Sequence, residues 1–281
     1  MVSPSSSAQQ ARQALADRLA ELCRVAGLSG VDMARLCGWH ASKSSRIMNG
    51  RTPPSADDIR AWCRACGAEG QADDLIASLH AAEGMWIGWR RMERTGLRRA
   101  QESVLPLYER TRRFRSYSPG LVPGLIQTYG YTEAVLRAVQ RRRVEIDDVA
   151  DAVAVRMERQ RLLHVAGKTF AFLVEESVLT NSLGGPDVQE EQLLRLVDTL
   201  AMPNVSLGVV PERTDRMRAP VEGFWIYDAA QANVELVSGF LTVTTPSEVS
   251  MYEDTFKQMA DMAVYGAKAR ALITRAMGAL S

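Results

Sequence analysis

No stretch of this 281-residue sequence approaches the roughly 20 consecutive apolar residues that a membrane-spanning helix needs. The opening residues, Met1 to Gln10, are rich in Ser and Gln and lack the apolar core of a secretory signal. They read as a flexible tail on a cytoplasmic protein. Histidine is scarce. His40, His80 and His164 are the only three, and none has a carboxylate or nucleophile nearby in sequence. A Gly-rich phosphate loop, His-Glu-x-x-His and Gly-x-Ser-x-Gly are all absent. Glu175-Glu176 is a carboxylate pair, but neighbours on an extended strand point to opposite faces and cannot act together on one substrate atom. An enzyme is therefore the least supported function class, with no catalytic residue, cofactor or metal expected.

Cysteine is also sparse, and all four residues, Cys23, Cys37, Cys63 and Cys66, lie in the first quarter of the chain. Cys37-x-x-His40 followed by Cys63-x-x-Cys66 has zinc-like spacing. Against zinc, Cys37 falls on the inward face of a short helix, and Cys63 and Cys66 follow Ile59 on one helical stripe. Small thiols fill such cores routinely, so the core reading is preferred. Disulfides do not fit a reducing cytoplasm.

The composition present is that of a globular protein long enough for two domains, with 46% hydrophobic and 24% charged residues. The net charge of +1 conceals an asymmetry. Basic residues are in excess from Arg12 to Arg64 and again from Arg90 to Arg115, whereas acidic residues dominate from Lys168 onward. Solvated helix faces would explain any single cluster. The asymmetry along the chain fits a first part that meets phosphates.

Leu28 to Pro54 has the layout of a helix-turn-helix. A first amphipathic helix over about 9–26, with Ala11, Leu15, Leu19 and Leu22 on one stripe, stops at Gly27. Ser29 caps a second helix with inward Val31, Ala34 and Cys37, which breaks at Gly38. Trp39 and His40 make the turn, and a third helix ends at Asn49-Gly50. Ser55-x-x-Asp58 opens a fourth helix as a capping box, and a fifth runs over about 73–82. This gives an all-α five-helix domain of Cro/repressor type over 11–84. Residues 85–115 read as a junction with Trp86 and Trp89 and a connecting helix over 97–115. That helix is either a solvated connector or a second phosphate contact or dimer strut.

The remainder, 116–281, reads as a mixed α+β domain. Two Pro-Gly-type turns exclude regular structure between Tyr117 and Tyr131. Helices are expected to about Gln140 and over 147–164, separated by Arg141-Arg142-Arg143. Period-two sequence appears only beyond Gly167, with strands predicted over 170–174, 205–210, 224–227, 234–237 and 241–244. A helix over 188–200 makes a strand–helix–strand unit, and helices over 248–263 and 267–278 finish the chain.

With these residues in view, the chain resembles the WhiJ-like regulators of actinobacteria from about Leu15 to Ile273. The first matching segments are Gly38-Trp39, Ser42-Lys43, Ser45-Arg46-Ile47, Asn49-Gly50 and Pro54-Ser55. Further along come Tyr108-Glu109, Leu121 to Thr128, Tyr131, Arg156, Arg159-Gln160 and Glu176. Gly184-Gly185, Gln192-Leu193, Pro203-Asn204-Val205 and Val210-Pro211 complete the series. The resemblance implies a dimeric, sequence-specific transcription factor and a small acidic partner protein resembling BldB. The chain departs from that pattern in four places. Ser29-Gly30 replaces Thr-Gln, Ser44 occupies an apolar position, Met48 replaces a Glu, and Ser238 stands where a Glu is common.

For double-stranded DNA the candidate contacts are His40, Ala41, Ser42, Lys43, Ser45, Arg46 and Arg51. Arg46 has an alternative role as a brace paired with a neighbouring acid. In the second domain Arg156 and Gln160 share an apolar stripe with Val149 and Val153, and a buried Arg needs an anionic partner. Glu176 and Glu109 are candidates for a structural brace. The alternative is a ligand or partner pocket built from Glu109, Tyr117, Gln127, Arg156, Arg159 and Glu176. The leading reading is a homodimeric DNA-binding transcriptional regulator whose C-terminal domain receives a signal from a small-molecule effector or partner protein. The alternative is an interaction or ligand-sensing module with weak or lost DNA binding.

Overall fold

The computed structural model describes residues 7–84, 86–88, 96–143, 146–236 and 239–280. Trp89 and Ser238, singled out above, lie outside them, as do the side chains of Trp86, His80, Arg142 and Arg143. The chain divides into two compact units, Met1–Ile87 and Gly88–Ser281.

The first unit is all-α: α1 (Ser7–Val25), α2 (Gly30–Leu36), α3 (Ala41–Met48), α4 (Ala56–Ala65) and α5 (Ala72–Gly84). Residues 7–10, expected in the tail, belong to α1. The predicted capping box of Ser55 with Asp58 forms, and the predicted N-cap Ser29 makes a box of its own with Asp32, each satisfying backbone donors that the first helical turn leaves open. Gly38 adopts φ +68° in the turn, a region that other residues enter at a cost. Leu15, Leu19 and Leu22 pack with Met33, Ile47, Ile59, Trp62 and Leu79 to form the core. Trp62 sits at its centre, donating Nε1–H to the Leu19 carbonyl over 3.0 Å. One inward assignment is corrected: Val31 is 69% exposed, and Met33 and Ala34 are the buried residues of α2. The short helix packs a single narrow face, and placing Met33 on it turns Val31 outward.

In the second unit six strands form one mixed sheet: β1 (Arg113–Ser118), β2 (Thr169–Glu175), β3 (Val205–Val210), β4 (Phe224–Tyr227), β5 (Gln231–Glu235) and β6 (Gly239–Val243). Their order is β6-β5-β4-β1-β2-β3. β1, β2 and β3 are parallel, with Phe114 opposite Phe170 and Phe170 opposite Val205. β4 runs antiparallel to β1 and continues as the meander β4-β5-β6. The helices are α6 (Leu97–Glu102), α7 (Leu105–Arg110), α8 (Tyr129–Arg143), α9 (Val149–Arg159), α10 (Ser177–Thr180), α11 (Pro186–Thr199), α12 (Pro246–Met262) and α13 (Gly266–Gly278). Phe114, Phe172, Leu193, Leu196, Val209 and Ile273 lie in the main core.

The single helix predicted over 97–115 is wrong. Two short helices replace it, and Arg113–Ser118 is a strand inside the sheet, so β-structure begins well before Gly167. Its burial alternates at first, with Arg113 exposed and Phe114 buried, and the basic run masks that period of two. Asp148 caps α6 by accepting from the backbone N–H groups of Leu97 and Arg98, each at 2.9 Å. Gly96, at φ +92°, permits this approach, because a Cβ there would lie 2.3 Å from the Asp148 carboxylate.

Candidate functional site

α3 is held from beneath and open above. Ser44 and Ile47 are buried, whereas His40, Ala41, Ser42, Ser45 and Arg46 are exposed, as is Arg51 in the following loop. Ser44 Oγ donates to the carbonyls of Gly30, 2.7 Å, and Ala41, 3.0 Å. His40 is the N-cap, with Nδ1 accepting from the Ser42 N–H over 3.3 Å and lying 2.9 Å from Ser42 Oγ. Among the described residues neither Arg46 nor Arg51 has an ion-pair partner.

The bracing ion pair considered for Arg46 is made by Lys43 instead. Its Nζ lies 2.6 Å from Asp58 Oδ1 and 4.5 Å from the Trp39 ring centroid. Burial opposes ionisation of Asp58. The hydrogen bonds from Lys43 and Ser55 outweigh it and hold the carboxyl below its ordinary range. Lys43 is thus engaged within the unit, and among the described residues Arg46 and Arg51 are cations of this face without an ion-pair partner.

The thiols behave as core atoms. Cys23 and Cys63 are buried, Cys23 Sγ lies 3.9 Å from Cys66 Sγ, and Cys66 contacts the Met33 sulfur at 3.8 Å. Burial pushes the Cys66 thiol up to about 12.

In the second unit the residues proposed for one pocket separate into distinct groups. Gln127, Arg156 and Arg159 are brought together. Gln127 Oε1 accepts from Arg156 Nη1 and Thr132 Oγ1, each at 3.1 Å, while its amide donates to the Val122 carbonyl over 2.7 Å. Gln160 donates to the Gln127 carbonyl over 2.7 Å. Gln192 closes the same loop, accepting from Thr128 N–H and donating to the Ile126 carbonyl. The segment from Leu121 to Thr128 is therefore a wrapped loop with an internal polar network, and the expectation of no regular structure between Tyr117 and Tyr131 is corrected by a 3-10 turn over Gly124–Ile126 and by the ends of β1 and α8.

The expected Arg–Glu brace of Arg156 with Glu109 or Glu176 is not formed. Glu109 is exposed and pairs with Arg161 at 3.4 Å. Glu176 pairs with Arg275 and accepts from the Glu212 N–H over 2.9 Å. Tyr117 lies elsewhere again, its hydroxyl donating to Glu175 Oε1 over 2.7 Å, with Arg216 making a two-pronged pair to the same carboxylate. Burial, reinforced by Glu175, pushes the Tyr117 hydroxyl well above its ordinary value. These partners sit on elements distant in sequence, and no local spacing announces which acid meets which base. Glu175 and Glu176 have separate partners, as Glu176 leaves the strand in helical backbone.

Sequence reasoning missed Gln101 and the role of Tyr108. Gln101 Oε1 accepts from Arg156 Nε at 3.1 Å and Arg159 Nη2 at 3.4 Å. The Arg159 guanidinium lies 4.6 Å from the Tyr108 ring centroid. Gln101 carries no sequence signal. Tyr108 belongs to a matching segment, but its neighbour Glu109 drew the assignment.

A five-helix unit with an open third helix, followed by a separate mixed-sheet unit, defines a helix-turn-helix protein with an appended α+β domain. Residues 14–76 match the family described as a helix-turn-helix domain, and residues 101–275 match the domain of unknown function DUF5753. The latter spans more than half of the sequence, and the chain belongs to the DUF5753 family. No curated protein matches it. Among solved structures, TrmBL2, an archaeal chromatin protein whose structure is titled as showing a novel mode of DNA binding, matches at 10% identity. The TM-score is 0.30, over 89% of this chain and 99% of that one, too low to bear on the fold or function here. Among the described residues no helix is long and apolar enough to cross a membrane.

Proposed function

We propose that the chain is a cytoplasmic transcriptional regulator of the WhiJ-like kind, a binding protein and not an enzyme, that reads double-stranded DNA with α3. The observation that carries this reading is the two-sidedness of that helix. Ser44 and Ile47 fix one side to the core, and the other presents His40, Ser42, Ser45 and Arg46 to solvent, with Arg51 beside them. Short hydroxyl side chains and an unpaired guanidinium suit base edges, and Arg51 suits a phosphate. An eight-residue helix reads few base pairs, so the regulator works as a homodimer on paired half-sites. The second unit receives the signal.

Gel-shift measurement with DNA upstream of the protein's own coding sequence tests this. A saturable complex at low salt, weakened in Arg46→Ala, is expected. No complex at low salt with folded protein overturns the reading and leaves an interaction module with lost DNA binding. Sedimentation analysis tests the dimer.

A further inference from the structure

Arg159 is buried, and among the described residues it has no counter-ion. Its side chain is 95% hidden from solvent, lies against the Tyr108 ring, and makes one long hydrogen bond, 3.4 Å to Gln101 Oε1. Its Nε is buried and finds no acceptor among the described residues. Arg156 stands beside it on the last turn of α9 and shares the same acceptor, donating Nε–H to Gln101 Oε1 over 3.1 Å and Nη1–H to Gln127 Oε1 over 3.1 Å. Two guanidinium groups thus converge on one neutral carbonyl oxygen. Among the described residues no carboxylate lies within ion-pair distance of either.

Other guarded arginines of this unit are treated differently. Arg115 has Glu253 at 2.5 Å, and Arg216 has Glu175. Burying an unpaired charge is expensive, and two like charges side by side add repulsion. Burial and the neighbouring Arg159 push the Arg156 guanidinium down to about 10, while Glu235, beyond pairing distance, acts weakly in the opposite sense. Arg156 therefore remains cationic at neutral pH. The setting is aromatic as well as cationic: Tyr108 lies 5.6 Å from Tyr227 and 6.0 Å from the half-buried Trp225, centroid to centroid. The Leu121–Thr128 loop presses close, with the Gly124 Cβ position 3.7 Å from Arg159 Nη2. Arg159 also lines a surface groove of about 330 Å³, together with Leu105, Val155 and Leu162. Three acids line it too. Glu102 is paired with Arg98, and Glu109 and Glu158 with Arg161.

We propose that Arg156 and Arg159 form a binding site for a small molecule bearing an oxyanion, a carboxylate or a phosphate. Guanidinium forks match both groups through paired N–H donors, and the unused donors of Arg159 and Arg156 are what such a group would engage. This assigns a ligand class to the signal-receiving role given to the second unit above and rests on that role. Its test uses no DNA, so failure of DNA binding and failure of this site are separable.

The test is thermal unfolding of the full chain titrated with inorganic phosphate in one arm and succinate in another, at constant ionic strength set with sodium chloride. A saturable rise in Tm, on the order of 5 °C, is expected in one arm, and the responding arm identifies the group. Arg156→Met and Arg159→Met should abolish the rise and, by removing an uncompensated buried charge, leave the ligand-free Tm equal or higher. Arg156→Lys keeps the charge without the fork and should fold while binding more weakly, which covers the case of a Met variant that fails to fold. No saturable rise in either arm overturns the proposal. So does a rise that persists undiminished in Arg156→Lys and in whichever Met variants fold.

Discussion

Ser44 ties the third helix to the second, its buried hydroxyl donating to the Gly30 carbonyl over 2.7 Å. The Cβ position of Gly30 lies 3.4 Å from Met48 Sδ and 3.9 Å from Ser44 Oγ. Gly30, Ser44 and Met48, three departures from the pattern the sequence resembles, therefore meet at one contact. They form a single adjusted joint. Ser44→Ala removes its polar link and should cost about 1 kcal/mol in urea unfolding. Gly30→Ala should be neutral or stabilising by up to about 1 kcal/mol, since the added methyl meets the flexible Met48 thioether and, at ordinary contact distance, Ser44 Oγ. A large loss in Gly30→Ala would contradict this account.

The Lys43–Asp58 pair gives the first unit a pH signature. Burial raises the Asp58 carboxyl, but the hydrogen bonds from Lys43 and Ser55 win and leave it below its ordinary value. A lowered folded-state value stabilises above the unfolded value, about 3.9, and that contribution disappears as pH falls through the folded value. Asp58→Asn should therefore make helix content, followed by circular dichroism, less pH-dependent below about pH 4. A variant as acid-sensitive as the parent would rule out this pair as the source.

On DNA, Arg46→Ala and Arg51→Ala should each weaken binding and reduce the slope of log affinity against log salt by about 1. Lys43→Ala should change that slope less, because its ammonium is already neutralised by Asp58. Fluorescence anisotropy at several salt concentrations separates the three. Equal slopes for all three variants would mean that Lys43 leaves Asp58 for the phosphates.

Glu175 serves both Tyr117 and Arg216 from a position only 6% exposed. Glu175→Ala leaves a guanidinium and a hydroxyl without their acceptor and should cost about 3–5 kcal/mol, whereas Tyr117→Phe should cost about 1 kcal/mol. Denaturant titration followed by tryptophan fluorescence measures both.

All four thiols are pushed up by burial, Cys66 to about 12. Thiolate is the reactive form, so a disulfide reagent at pH 8 should modify them only as fast as the first unit opens. Rapid labelling of Cys37 or Cys66 in folded protein would refute this.

The helical unit was legible because its signals are local. Ser29 and Ser55 cap, glycines stop, and Leu15, Leu19 and Leu22 recur at helical spacing. The inward face of α2 was misread, because in seven residues Val31 and Met33 compete for one narrow stripe. Strand β1 was missed because both its partners lie far along the chain and its alternation hides inside a basic run. Arg156 was found from an apolar stripe, and Arg159 from the segment Arg159-Gln160 of the resemblance. Their acceptor Gln101, and the true partners of Glu109, Tyr117 and Glu176, depend on which elements meet in three dimensions.

The position of β1 has a consequence for synthesis. Arg113–Ser118 leaves the ribosome before either strand it pairs with, and its antiparallel neighbour Phe224–Tyr227 emerges only after most of the unit has been made. Phe114 and Tyr117 must wait, uncovered, for that arrival. Such long-range closure is slow, whereas the helical unit relies on contacts near in sequence. The helical unit can thus finish folding during synthesis, whereas the second unit closes its sheet only once Phe224–Tyr227 has emerged.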